Sequence, residues 1–167
     1  MERTAKHSGT KRKDNSRDQC PSCTGRLQPC LDGAGHPLQY VQCTAGASSH
    51  RFCRSCLCPW APSCDAPSES CSNGSCQLVA TLLSCNTVTD TKSRVFGCPL
   101  FRACPKCHSL IMHDSGCKYV TCRPCGHRFC FICLQRSREC RKTTELYWSR
   151  ACNKPRAARQ TFVTKSH

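Results

Sequence analysis

The chain has 167 residues and a formal charge of +15, and 21 of its residues are cysteine. Cysteine inflates the hydrophobic share of 38%; without it about a quarter remains, too little for a core of ordinary size, and modules so poor in Leu, Ile and Val need disulfide or metal staples. The N-terminus MERTAKHSGTKRKDNSRDQ has no apolar run, which argues against a secretory leader, and no stretch approaches the ~18 apolar residues of a membrane span.

An odd cysteine number also fits full disulfide pairing poorly. A reduced, zinc-binding chain of the cytoplasm or the nucleus is therefore expected. The formal charge points to an acidic partner, but it counts every cysteine as neutral. A zinc held by four thiolates carries about −2, so three or four such sites bring the charge to roughly +7 to +9. Aromatic residues, the stacking platforms for nucleic acid, make up only 7% of the chain. Nucleic acid is therefore not an expected partner.

Residues 1–19 are polar and basic and read as a disordered tail. The run Lys11-Arg12-Lys13 within it reads as a solvated tail or a nuclear signal. Residues 20–76 form a first cysteine cluster with two clear Cys-x2-Cys knuckles, Cys20–Cys23 and Cys53–Cys56. One zinc site is completed as Cys53, Cys56, Cys71 and Cys76. The other has Cys20, Cys23 and Cys43, and Gly46 stands where a fourth ligand would fall. His50 is the nearest substitute, giving a Cys3His site, with Cys30 as the alternative. Cys58, Cys64 and Cys85 are surplus and read as buried small hydrophobes.

Residues 77–97 read as a connector, whose stretch Gln77–Leu83 is the most apolar run in the chain and suits a short helix or strand. Residues 98–152 form a second, denser cluster with three knuckles: Cys104–Cys107, Cys122–Cys125 and Cys130–Cys133, followed by Cys140 and Cys152. Two knuckles close one tetrahedral site. Cys104, Cys107, Cys122 and Cys125 make one site, and Cys130, Cys133, Cys140 and Cys152 make another. Short hairpin strands are expected at Val120-Thr121 and Phe131-Ile132. Residues 153–167 read as a loose basic tail. The expected fold class is two tandem cysteine-rich modules, mostly irregular with short β-hairpins, holding three to four zinc ions.

Cys117 belongs to no knuckle. It follows Asp114-Ser115-Gly116, a turn-forming stretch that would expose it. Nearby cations such as Lys118 favour a reactive thiolate, and His113 or His127 is placed in sequence to act as general base. The plain alternative is an inert unpaired thiol.

The stretch ACPKCHSLIMHDSGCKYVTCRPCGHRFCFICL resembles the second RING, the catalytic module of RING-between-RING ubiquitin ligases: CPxC, then Gly-Cys, then hydrophobic-x-Cys, then FCxxC, in order. The first cluster, with RFCRSCLCPW, resembles the in-between-RING module. The resemblance covers roughly residues 20–152. It implies that Cys117 takes ubiquitin from a conjugating enzyme as a thioester and passes it to a substrate lysine. It also implies that the eight cysteines assigned above are the second RING's zinc ligands. Tyr119 stands where many relatives place a histidine two residues after the nucleophile, so His127 or His113 would have to serve. No first RING precedes Cys20, so recruitment of the conjugating enzyme is expected from a partner or from further sequence. The other expectation is a non-catalytic zinc module that binds ubiquitin or a partner protein.

Overall fold

A computed structural model describes residues 15–45, 50–60, 70–140, 152 and 154–165. Lys11-Arg12-Lys13, Gly46 and Cys64 lie outside the described residues. In the first module an antiparallel sheet is built from β1 (Leu27–Leu31), β2 (Pro37–Cys43) and β3 (Arg51–Cys53) in that order. Residues Val41 and Cys43 of β2 face inward and are buried, the alternation expected of a strand with one covered face. Pro29, which has no N–H to give a ladder, sits on the edge strand β1 beside a register shift. The register places Cys43 opposite Leu27 and Cys53 opposite Tyr40, so the sheet carries a cysteine toward each of two ligand clusters.

The Cys-x2-Cys knuckles share one backbone pattern. The first cysteine's N–H bonds to the carbonyl five residues on: Cys20 to Gly25, Cys53 to Cys58, Cys104 to Ser109, Cys122 to His127 and Cys130 to Gln135, all at 2.8–2.9 Å. In four of them the residue after the second cysteine has positive φ and returns its N–H to the first cysteine's carbonyl: Leu57, His108, Gly126 and Leu134. Only Gly126 adopts this backbone freely. For Leu57, His108 and Leu134 the left-handed conformation costs on the order of 1 kcal/mol or more each. Such strained turns persist where something stronger closes them, and the paired sulfurs supply the place for it.

Of the helix or strand expected for the apolar stretch, the structure shows helix α1 (Cys76–Ser84): Val79, Leu82 and Leu83 are buried at i, i+3 and i+4. Val79 and Leu83 pack on Cys53, Cys56 and Cys58 of the first module. The rest of the expected connector is not a linker. Val88 bonds to Cys98 and Gly97 to Val88 through the backbone, and Val88 and Val95 join the second module's core with Phe129, Phe131 and Ile132. The second cluster has few fully buried aliphatic residues of its own, and these two valines add to its core.

The second module comprises two antiparallel pairs and a short helix: β4 (Phe101–Ala103) with β5 (Leu110–Met112), β6 (Tyr119–Thr121) with β7 (Arg128–Cys130), then α2 (Ser137–Cys140). The strand expected at Val120-Thr121 is β6. Phe131-Ile132 is not a strand; both residues are buried in the knuckle turn after β7.

Within the two end segments expected to be loose, the described residues 15–19 and 154–165 make defined contacts. Residues Asn15–Asp18 form a 3-10 turn, and the Arg17 guanidinium donates to the Ser55 carbonyl at 2.9 Å. Residues 154–165 run as an extended strap across both modules. The Arg102 guanidinium, fully buried, donates to the carbonyls of Ala157 (2.7 Å) and Ala158 (2.5 Å). Gln160 exchanges two side-chain hydrogen bonds with the Ala103 backbone, each 2.9 Å. Arg159 donates to the carbonyls of Leu82 and Cys85, and Phe162 stacks on His108 with ring centroids 4.0 Å apart. At the far end the Asn73 amide accepts from Thr164 N–H and donates to the Phe162 carbonyl, both at 3.0 Å. Composition alone suggested a solvated tail; these basic side chains instead find unpaired backbone carbonyls.

Replacing Arg102 with Met should leave those buried carbonyls unpaired and lower the unfolding free energy by about 2–4 kcal/mol. Residues 157–160 should then exchange their amide protons faster while zinc content is unchanged, as hydrogen–deuterium exchange and elemental analysis would show. Wild-type protection across 157–160 in the variant would mean that Arg102 does not hold the strap.

Candidate metal centres and the Cys117 loop

The folded chain brings together four ligand sets: Cys20, Cys23, Cys43 and His50; Cys53, Cys56, Cys71 and Cys76; Cys104, Cys107, Cys122 and Cys125; and Cys130, Cys133, Cys140 and Cys152. Within each set the ligand atoms all lie within 4.8 Å of one another. A tetrahedron with Zn–S near 2.3 Å has sulfur–sulfur edges of about 3.8 Å. The measured edges include Cys23–Cys43 at 3.4 Å, Cys53–Cys76 at 3.8 Å, Cys56–Cys71 at 3.6 Å, Cys104–Cys125 at 3.6 Å, Cys107–Cys122 at 3.5 Å and Cys140–Cys152 at 3.5 Å. Three sets offer four soft thiolates and one offers three with an imidazole. All four donor sets suit zinc, and the chain is a zinc-binding protein of small modules.

His50 fills the position that sequence spacing left open. Its Nδ1 lies 3.9 Å from Cys20 Sγ, carried there by the strand pairing that bonds Cys43 N–H to the His50 carbonyl. Cys30 is elsewhere, in β1 with its thiol toward Gln42. Gly25 is required at this site: a Cβ there would lie 2.6 Å from Cys43 Sγ and 2.4 Å from Ala45 Cβ.

The thiols within a set do not ionise alike. Burial opposes ionisation of Cys20 and Cys56, yet N–H donors and neighbouring thiols outweigh it and bring both down to about 7. The Ser109 hydroxyl and N–H bring Cys107 down to about 6. Their neighbours move the other way. Burial pushes Cys122 up to about 12, and burial together with adjacent sulfurs raises Cys53, Cys76 and Cys130. One thiolate in each set suppresses the next, and a divalent cation relieves that repulsion.

Of the surplus cysteines, Cys58 is buried as expected. Cys85 is half-buried, and Arg159 donates to its sulfur at 3.2 Å. Cys98 opens the second module fully buried, where burial pushes its thiol up despite Arg102 and Arg156 nearby.

Cys117 stands outside all four sets and is partly exposed. The loop before it is pinned at Asp114, whose carbonyl accepts from the buried Ser93 hydroxyl at 2.7 Å, and it turns at Gly116, φ +85°. The Tyr119 N–H points at Cys117 Sγ, 3.4 Å away. His113 Nε2 lies 2.8 Å from the Cys117 carbonyl. A carbonyl only accepts, so Nε2 donates to it, and in the neutral ring Nδ1 then carries the lone pair. The ring is braced edge-on against Phe131, centroids 5.1 Å apart. His127 is not brought to Cys117. It sits at the far end of the β6–β7 hairpin, where its carbonyl accepts from Cys122 and its ring stacks on Phe129. The three residues of β6 separate the two ends by about 10 Å. Lys118 folds back with its ammonium 5.4 Å from the centre of the Tyr119 ring, and its carbonyl accepts from Phe131 N–H.

Elemental analysis of the reduced, folded chain should give four zinc ions. His50→Ala should bind about one fewer and Cys30→Ser should bind four. Cys122→Ser should lose the β6–β7 hairpin's protection from exchange, whereas Cys117→Ser should keep four zincs and the native exchange pattern. Loss of zinc in Cys117→Ser would place that sulfur among the ligands after all.

A family model described as "IBR domain" matches residues 99–144, within the module whose motifs resemble a second RING. The chain is 32% identical over 123 residues to E3 ubiquitin-protein ligase RNF144A of Mus musculus, an alignment covering 73% of this chain and 38% of that protein. The Homo sapiens protein of the same name gives the same identity and coverage. The probable E3 ubiquitin-protein ligase ARI9 of Arabidopsis thaliana is 28% identical over 104 residues, 62% of this chain and 18% of that protein. The chain thus spans 38% of the length of the RNF144A proteins it matches. With its tandem zinc modules, its IBR match over residues 99–144 and these relatives, the chain is similar to RING-between-RING ubiquitin ligases.

Proposed function

We propose that residues 98–152 are the catalytic half of a RING-between-RING ubiquitin ligase and that Cys117 carries ubiquitin as a thioester. One observation supports this above the rest. In this module only Cys98 and Cys117 stand outside the ligand sets, and Cys98 is fully buried while Cys117 lies partly exposed on a turn. The relatives' names as E3 ubiquitin-protein ligases point to the same chemistry. Residues 20–76 are then the in-between-RING module. The partners are ubiquitin, its charged conjugating enzyme and a protein substrate, in a reducing compartment such as the cytoplasm or nucleus.

In the first step the Cys117 thiolate attacks the conjugating enzyme's thioester carbonyl; a new C–S bond forms and the enzyme's sulfur leaves. In the second, a substrate lysine amine attacks the Cys117 thioester. The C–N bond forms, the C–S bond breaks, and Cys117 leaves as thiolate with the Tyr119 N–H aimed at it. The amine's proton needs an acceptor. Tyr119 cannot serve at neutral pH, and His127 is held at the other end of its hairpin. His113 is the remaining candidate, with Nε2 engaged by the Cys117 carbonyl and Nδ1 left to accept.

The IBR match on 99–144 favours a second reading, a non-catalytic zinc module that binds ubiquitin or a partner protein. The two readings separate in a charging assay with a first RING supplied. Wild type should form a ubiquitin adduct that thiol reductant removes. Cys117→Ser should form a reductant-resistant ester of the same size. His113→Ala should charge to a similar level but discharge to lysine about 10- to 100-fold more slowly. If Cys117→Ala gives the wild-type adduct pattern, or no adduct forms at all, the binding-module reading replaces the catalytic one.

A further inference from the structure

The second ligand set has more sulfur beside it than a tetrahedron uses. Cys53, Cys56, Cys71 and Cys76 fill four positions, and Cys58 Sγ lies 3.3 Å from Cys71 Sγ. That is the shortest sulfur–sulfur approach among the described residues. The knuckle holds Cys58 there, because its carbonyl accepts the Cys53 N–H at 2.8 Å. The other non-ligand thiols are placed differently. Cys30 faces Gln42, Cys85 takes a hydrogen bond from Arg159, and Cys117 receives the Tyr119 N–H.

Cys58 is only 6% exposed, yet it lines a cavity of about 290 Å³ with Phe52, Leu57, Pro59 and Phe162. A small neutral solute such as hydrogen peroxide fits this space. Cys71 is half-buried and accepts the Asn73 N–H at 3.4 Å, so its sulfur stays turned toward Cys58.

We propose that Cys58 and Cys71 form an oxidation site for hydrogen peroxide, and that its oxidation releases zinc from the second set alone. Peroxide oxidises the sulfur of Cys71, the more exposed of the two, to a sulfenic acid, its O–O bond breaking and water leaving. The Cys58 sulfur, giving up its proton, then attacks the Cys71 sulfur. An S–S bond forms, the S–O bond breaks, and hydroxide leaves to become water with a proton from solution. Two thiols are oxidised and one peroxide is reduced to two waters. The zinc keeps three thiolates at most and is lost to a competing chelator. A thiol reductant reverses the step. In the other three sets every approaching sulfur is itself a ligand, so no spare thiol is present among the described residues to complete the sequence.

The test treats the zinc-loaded full chain with about one equivalent of hydrogen peroxide in the presence of a chromogenic zinc chelator, followed by peptide mapping without reduction. One of four zinc ions should be released ahead of the rest, with a Cys58–Cys71 cross-linked peptide. Thiol reductant plus zinc should restore the metal. Cys58→Ala and Cys58→Ser should each still bind four zincs and lose the early release. The proposal is overturned if both variants bind only three zincs, which would make Cys58 a ligand. Early release persisting in them, or a mapped disulfide joining other cysteines, overturns it too.

Discussion

Sulfur atoms gathered within 4.8 Å of one another cannot all ionise in the absence of a cation, because each thiolate raises the cost of the next. The opposed shifts inside the third set, Cys107 down to about 6 and Cys122 up to about 12, express that conflict directly. A zinc ion resolves it, and in doing so closes turns that the backbone resists. Leu57, His108 and Leu134 all hold positive φ directly after a ligand cysteine. A closed tetrahedron would add to the single backbone hydrogen bond by which each of these three non-glycine residues returns to its knuckle. The sheets are short, most strands having three residues.

Metal closure fixes the knuckles but not how the modules are joined. That task falls to residues with little metal-binding character. Helix α1 packs Val79 and Leu83 on the first module, while Val88 and Val95 enter the second core. The strap then ties the pieces together through backbone carbonyls that accept from Arg102 and Arg159. Buried arginine is costly unless its donors are met. Here carbonyls of the strap meet them, which couples the position of residues 157–158 to β4 and thereby to the second module's core.

The Cys117 loop depends on the same scaffold at one remove. Its base is held by Ser93 from the segment before the module, its turn by Gly116, and its downstream side by β6 paired to β7. The thiol itself takes no part in metal binding, so it is positioned by the zinc sites without being consumed by them. Both modules use the same hairpin-and-knuckle construction. This similarity explains how a family model named for the in-between-RING domain falls on the module whose motif order resembles a second RING.

Much of this was legible from the sequence. Cysteine spacing pointed to three of the four ligand sets and to three members of the fourth, because a Cys-x2-Cys turn admits two ligands in one geometry and zinc admits four in all. The helix at Gln77–Leu83 was legible as an apolar run, and Cys117 as the cysteine outside the spacing. Only tertiary structure decided between His50 and Cys30, since strand pairing, not spacing, swings His50 toward Cys20. It also separated His113, whose ring reaches the Cys117 carbonyl, from His127, which lies at the far end of the β6–β7 hairpin. The folded strap at 154–165 and the burial of Val88 and Val95 left no local signal. Their partners are more than fifty residues away or lack any periodicity, and a basic extended segment reads as solvated until the carbonyls and guanidinium groups that engage it are in place.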